Sequence, residues 1–202
     1  MSKMNRTPLK ERPFPDYTRK EELLNMWSHI FGAMCAVVMM WIVVRLTRGN
    51  PLAMSSCVVY VTTVLVMLVV SAVYHGLPKG MPKQVMRVVD HCDIFFTIAG
   101  TYTPITLLGI CPINPVMGWT IFAIEWVLAI VGATLNAIDL KRFSKFSMAC
   151  YLGMGWCVVI SLKPALQALT WPGFLLVLAG GVAYTIGAVL YQIGRASCRE
   201  RV

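Results

Sequence analysis

A polytopic bundle of transmembrane α-helices is the fold class this sequence predicts, and three observations carry the prediction. The 202-residue chain is 57% hydrophobic and only 13% charged, with a mean hydropathy of +0.68. Soluble domains are about one quarter charged, so composition alone places the chain in a membrane. Six apolar runs approach the roughly 20 residues needed to cross about 30 Å of hydrocarbon at a helical rise of about 1.5 Å per residue. Strand-period alternation is absent, which argues against a β-barrel.

The runs are Met26–Leu46, Leu52–Tyr74, His91–Ile110, Val116–Leu135, Phe146–Leu162 and Phe174–Tyr191. Ahead of the first, residues 1–25 are polar and charged with no apolar stretch, so they read as a cytoplasmic N-terminal segment and not as a cleavable signal peptide. Glu22, Asn25 and Ser28 stand where a helix begins and read as capping or dipole residues, with His29 at the interface beside them. The second run closes on Ser71-Ala-Val-Tyr-His75, which puts Ser71 and His75 on one helical face.

The third run opens on Asp90-His91-Cys92-Asp93. An acid entering a membrane helix is costly unless paired, hydrated or bound to a cation. A helix N-terminus would relieve only about 0.3–1 kcal/mol of that cost. Further along, Ala99-Gly-Thr-Tyr-Thr-Pro104 predicts a kink facing the bundle interior. Glu125 falls near the middle of the fourth run, as a functional candidate or as a protonated structural acid. In the sixth run, Gly180, Gly181 and Gly187 predict close helix packing.

Charge fixes the expected orientation. The N-terminal segment, the second loop and the fourth loop together hold 12 lysines and arginines, against 3 in the opposite set, so the N-terminus is expected in the cytoplasm. The net charge of +9 is then mostly a topology signal, with some attraction to anionic lipid. No basic stripe alternates with aromatics outside the membrane, so no nucleic-acid partner is expected. The seven cysteines, at 35, 57, 92, 111, 150, 157 and 198, form no C-x-x-C pair and read as small apolar fillers.

All three histidines, His29, His75 and His91, fall at the same expected membrane face, each beside an acid or hydroxyl. That placement points to metal ligation. After Tyr191 the apolar pattern stops at Ile193-Gly-Arg-Ala-Ser-Cys-Arg-Glu-Arg-Val202, which resembles one reading frame of a short-read sequencing adapter. Residues 193–202 are therefore expected to be a non-native tail, and without its three basic residues and one acid the net charge is +7.

Several motifs occur in order: Glu21-Glu22, Asn25, Ser28-His29, Gly32; Ser71, Tyr74-His75; Asp90-His91, Ile94-Phe95, Ile98 through Pro104; Tyr151, Met154-Gly155-Trp156; and Gly180-Gly181, Tyr184-Thr185, Gly187, Tyr191. Together they resemble the bacterial hemolysin III family, which is similar to the progestin and adipoQ receptors and, more distantly, to the alkaline ceramidases. The resemblance runs from about Glu21 to Tyr191. It implies a seven-helix membrane fold carrying zinc near the cytoplasmic face of a bacterial plasma (inner) membrane.

By that resemblance His75 is a metal ligand, Asp90 holds a metal-bound water, and Ser71 is a hydroxyl supporting the ligand. The receptor relatives place a further H-x-x-x-H pair on a seventh helix. No counterpart occurs here, so residues 26–192 are expected to be a truncated domain with an incomplete zinc site, and His29 and His91 are weaker substitutes. The expected function is membrane lipid or energetic homeostasis, with membrane lipid as partner. The alternative is a zinc-dependent, ceramidase-like lipid amide hydrolase, in which zinc activates water, Asp90 acts as base or orients that water, and Ser71 hydrogen-bonds the oxyanion. A pore-forming cytolysin ranks last, because no run carries a sustained polar stripe.

Overall fold

The computed structural model describes the backbone of residues 8–200 and the side chains of residues 8–190. Among the described residues there is no strand, and six helical segments are long and apolar enough to cross a membrane: Arg19–Leu46, Pro51–Gly76, Met81–Ile110, Pro115–Asp139, Ser144–Ala168 and Trp171–Leu190. We label the helices α1 (Arg19–Leu46), α2 (Pro51–Gly76), α3 (Met81–Pro104), α4 (Pro115–Asp139), α5 (Ser144–Gly155), α6 (Leu162–Ala168) and α7 (Trp171–Glu200). The first four pack in sequence, each against the next. The reading of residues 193–202 as a non-native tail concerns side chains that lie outside the described residues.

Two helices start earlier than hydropathy predicts. Helix α1 begins at Arg19, capped by Thr18, whose hydroxyl accepts from the Glu21 backbone while the Glu21 carboxylate accepts from the Thr18 backbone. This reciprocal box satisfies two backbone donors that would otherwise be orphaned. Helix α3 begins at Met81, ten residues before the apolar run. Asp90 and His91 therefore sit deep within a helix. The expected relief from a helix N-terminus does not reach Asp90, because it fades within the first turn.

The expected interruption of α3 is present. Proline at 104 cannot donate to the ladder, and the following Ile105–Ile110 stretch winds as a π-helix, with the Cys111 amide bonding the Thr106 carbonyl at 2.8 Å. Hydroxyls bond back along the same stretch: Thr103 to the Ala99 carbonyl at 2.9 Å and Thr106 to the Tyr102 carbonyl at 2.8 Å. The stretch ahead of Pro104 faces the interior: Ala99, Gly100, Tyr102 and Thr103 are buried. At Gly100 a Cβ would collide with the Thr63 hydroxyl, so α2 and α3 approach more closely there than any side chain allows.

The fifth crossing is broken into α5, a 3-10 turn over Cys157–Ser161, and α6. Tyr102 stitches this break to α3: its hydroxyl donates to the Gly155 carbonyl at 3.0 Å and accepts from the Val158 amide at 2.8 Å. Phe95, Ala99, Tyr102, Ile121, Ala129 and Met154 belong to the core that gathers around this seam. In contrast, α1 turns Trp27, Phe31, Val38 and Trp41 outward, as expected of a surface solvated by lipid. The close packing expected at the α7 glycines is not formed among the described residues: no atom lies within 4 Å of a Cβ placed at Gly180 or Gly187, and Gly181 meets only Trp156, at 4.0 Å.

Candidate functional site

The start of α1, the end of α2 and the start of α3 meet at the end of the bundle that charge assigns to the cytoplasm. There Glu22, His75 and Lys83 form a buried cluster. The His75 Nδ1 lies 2.7 Å from Glu22 Oε2, and the Lys83 ammonium donates to Glu22 Oε1 at 2.9 Å. Lys83 also donates to the Tyr74 and Leu77 carbonyls, both at 3.0 Å, among the last carbonyls of α2 that lack helical partners. Its charge is buried and yet fully employed.

Paired with an ammonium, Glu22 is a carboxylate and can only accept, so His75 Nδ1 must carry the proton. In the neutral tautomer with this proton, the lone pair is on Nε2. Aromatic rings fix the imidazole: Tyr74 lies 4.7 Å away centroid to centroid, Tyr17 at 5.9 Å, and His29 stacks at 6.0 Å. The segment before α1 runs across this end of the bundle. Gln84 donates to the Arg12 carbonyl at 2.6 Å, Arg87 donates to the Pro13 carbonyl at 2.7 Å, and Arg12 donates to the Ile138 carbonyl at the end of α4 at 3.1 Å.

Ser71 lies one turn inside His75 and is buried. Asp90, on α3, is half-buried. Among the described residues, however, no hydrogen bond joins Ser71, His75 and Asp90 to one another. Asp90 instead approaches the His91 Nδ1 at 3.5 Å.

The other two histidines use Nδ1 within their own helices. His29 Nδ1 faces the Asn25 carbonyl at 2.7 Å and His91 Nδ1 faces the Arg87 carbonyl at 2.9 Å. The His91 carbonyl is itself held, by the Tyr151 hydroxyl at 2.7 Å and the Asn136 amide at 3.2 Å. Only His75 is bonded to a carboxylate at this distance.

Sequence reasoning missed two members of the cluster. Glu22 was expected to cap its helix, and Lys83 counted only as loop charge. The structure corrects both: Glu21 serves the cap, and Glu22 turns inward to His75 and Lys83. One signal could have separated the acids, because Thr18-x-x-Glu21 already completes a capping box and leaves Glu22 without a local task.

Among the described residues no three His, Cys, Asp or Glu side chains come together in a way that could hold a metal ion. A carboxylate-bound imidazole is the usual orientation of a zinc-ligating histidine. Zinc normally requires three protein ligands, though, and here the donor set stops at one imidazole while Lys83 occupies the second oxygen of the acid. The described residues do not by themselves fit zinc.

The family described as Haemolysin-III related matches residues 17–198, which span all six crossings. The chain is 33% identical to Hemolysin-3 of Bacillus cereus over 174 residues, 85% of this chain and 78% of that protein. It is 32% identical to the Hemolysin-3 homolog of Bacillus subtilis (strain 168) over 177 residues, 87% of this chain and 82% of the relative. No solved structure matches it. The chain belongs to the haemolysin-III-related family of multi-pass membrane proteins.

Proposed function

We propose that this protein acts on membrane lipid through the Glu22–His75–Lys83 cluster, in the service of membrane lipid or energetic homeostasis in a bacterial plasma membrane. The observation that carries the proposal is the buried 2.7 Å contact between His75 Nδ1 and Glu22. A carboxylate that fixes the tautomer and orientation of an imidazole leaves Nε2 as the nitrogen free of that bond, an arrangement general acid–base chemistry uses. Lys83 neutralises the acid so that the trio can stay buried, since isolated charges at this depth are expensive. The bacterial location is supported by the charge bias of the loops and by the bacterial relatives.

To test this, the wild-type protein, Glu22→Gln and His75→Ala are reconstituted into vesicles of bacterial lipid extract and the lipids profiled over time. Expected is a lipid change made by the wild type and lost in both variants. A profile identical to empty vesicles, or unaltered by His75→Ala, sinks the reading. Dye release at equal protein density is the arm that would favour a pore instead, the activity suggested by the names of the relatives.

The second reading is a zinc-dependent lipid amide hydrolase, with His75 as a ligand, Asp90 acting through a water and Ser71 supporting. It is favoured by the carboxylate on Nδ1, which leaves Nε2 for a metal. Zinc content of the purified protein, measured with and without His75→Ala, decides it together with release of acyl chains from a lipid amide under chelation. Less than a stoichiometric trace of zinc, or hydrolysis indifferent to chelator, rejects it.

A further inference from the structure

A second ionisable site lies away from the cluster. Glu125 is the eleventh residue of α4, about 15 Å along a helix that starts at the opposite membrane face, so it sits near mid-membrane. The residue is fully buried, at 0% exposure, and neither carboxyl oxygen meets a hydrogen-bond partner. The titratable groups facing it are the Tyr102 phenol from α3 and the Cys157 thiol from the 3-10 turn after α5. No cation lies among them, and the Tyr102 hydroxyl is committed to Gly155 and Val158.

An ionised carboxylate in such a place, without counter-charge and with only a weakly donating thiol beside it, costs far more than taking up a proton. A metal cation would need several oxygen ligands, and a phenol and a thiol do not supply them. The group that suits this site is a proton.

Beside this site, a groove of about 370 Å3 follows one face of α4, lined by Asn114, Met117, Thr120, Ile121, Ile124 and Cys157. Its lining includes Asn114, the N-cap at the outer end of the helix, and Cys157, the thiol that faces Glu125; Glu125 itself lies behind that lining, fully buried. Glu125 is one helical turn beyond Ile121, on the same face. Asn114 and Thr120 are the polar side chains of an otherwise mostly apolar lining.

We propose that Glu125 is an exchangeable proton-binding site at mid-membrane, reached from the non-cytoplasmic side along the α4 groove. The site is independent of the Glu22 cluster, and lipid chemistry at the inner face could fail without affecting it.

The experiment uses the full chain in vesicles and reads the carboxylic acid C=O stretch by infrared difference against Glu125→Gln, in H2O and then in D2O. Dicyclohexylcarbodiimide serves as a chemical probe. A protonated carboxyl adds across its N=C=N group, the acid proton passes to nitrogen, and the O-acylisourea rearranges to a stable N-acylurea without loss of atoms. Expected are an acid band absent from Glu125→Gln, a shift of that band within minutes of exchange into D2O, and an N-acylurea on the peptide carrying Glu125. Thr120→Leu, which plugs the groove, should slow the D2O shift at least several-fold. An absent acid band, a band that does not shift in D2O, or exchange unaffected by Thr120→Leu overturns the proposal. Glu125→Asp, which keeps an acid, guards against misfolding: a folded variant lacking any acid band also counts against it.

Discussion

Glu22 and Glu125 are both acids buried in apolar helices, at 9% and 0% exposure, yet the chain treats them in opposite ways. Around Glu22 three helices converge, and both of its oxygens are engaged, one by His75 and one by Lys83. Around Glu125 nothing closes a hydrogen bond. The two differ in depth as well, Glu22 at the end of the bundle and Glu125 near its middle, and each has the partners its charge state requires. The first acid is a fixed charge that orients an imidazole. The second has the environment of a neutral acid, with a thiol and an already committed phenol as its polar neighbours.

The sharpest way to break this contrast is to remove each acid and compare signs. Glu22→Leu strands the Lys83 ammonium in a site built around a counter-charge, and breaking a buried pair in this way costs about 3–5 kcal/mol. We expect a large fall in melting temperature in detergent, followed by helical circular dichroism, and substantial recovery when Lys83→Met is added. Glu125→Leu should move the other way. It removes an unsatisfied polar group from an apolar site at similar volume, which is expected to stabilise by about 1–3 kcal/mol. If both variants melt below the wild type, the two acids share a structural role and the comparison fails.

Tyr102 tests whether polar groups near Glu125 behave like the cluster when they do have partners. Tyr102→Phe leaves the Val158 amide and the Gly155 carbonyl unmet, at a cost of about 1–2 kcal/mol. Amide hydrogen exchange should speed up locally at Val158, where the fifth crossing is broken. Unchanged protection there would mean the break is held by packing alone.

How much of this was legible in the sequence follows from the range over which each feature is determined. The six crossings were legible, because the thickness of hydrocarbon sets a length that local composition must meet. So was the change of winding at Pro104, where α-helix gives way to π-helix, since a missing amide acts within one turn. The early start of α3 was not, because Met81–Asp90 is a polar helix whose Gln84 and Arg87 are tied to Arg12 and Pro13, more than seventy residues earlier. The site divides in the same way. His75 stood out by its place at a helix end, but Glu22 could be explained by capping alone, and its true partner is 53 residues away. His29 and His91 shared the right face, yet their Nδ1 atoms turn to carbonyls four residues back, a choice that placement does not reveal. A direct check is available in the paired acids. Glu21→Gln should leave the melting temperature unchanged, because glutamine serves a capping box equally well, while Glu22→Gln one residue later should lower it.

The smallest expected effect is the most discriminating. Glu125→Gln exchanges one neutral, unpartnered group for another of the same shape, so its stability should differ from the wild type by less than about 0.5 kcal/mol. Were the wild-type residue ionised, the same change would remove a buried, unpaired charge and stabilise the protein markedly. Were it locked in a hydrogen bond, the change would cost about 1 kcal/mol or more. Chemical denaturation of the two proteins side by side thus separates three states of one side chain by the size and sign of a single difference, and only a value near zero is compatible with a carboxyl that carries its own proton and nothing else.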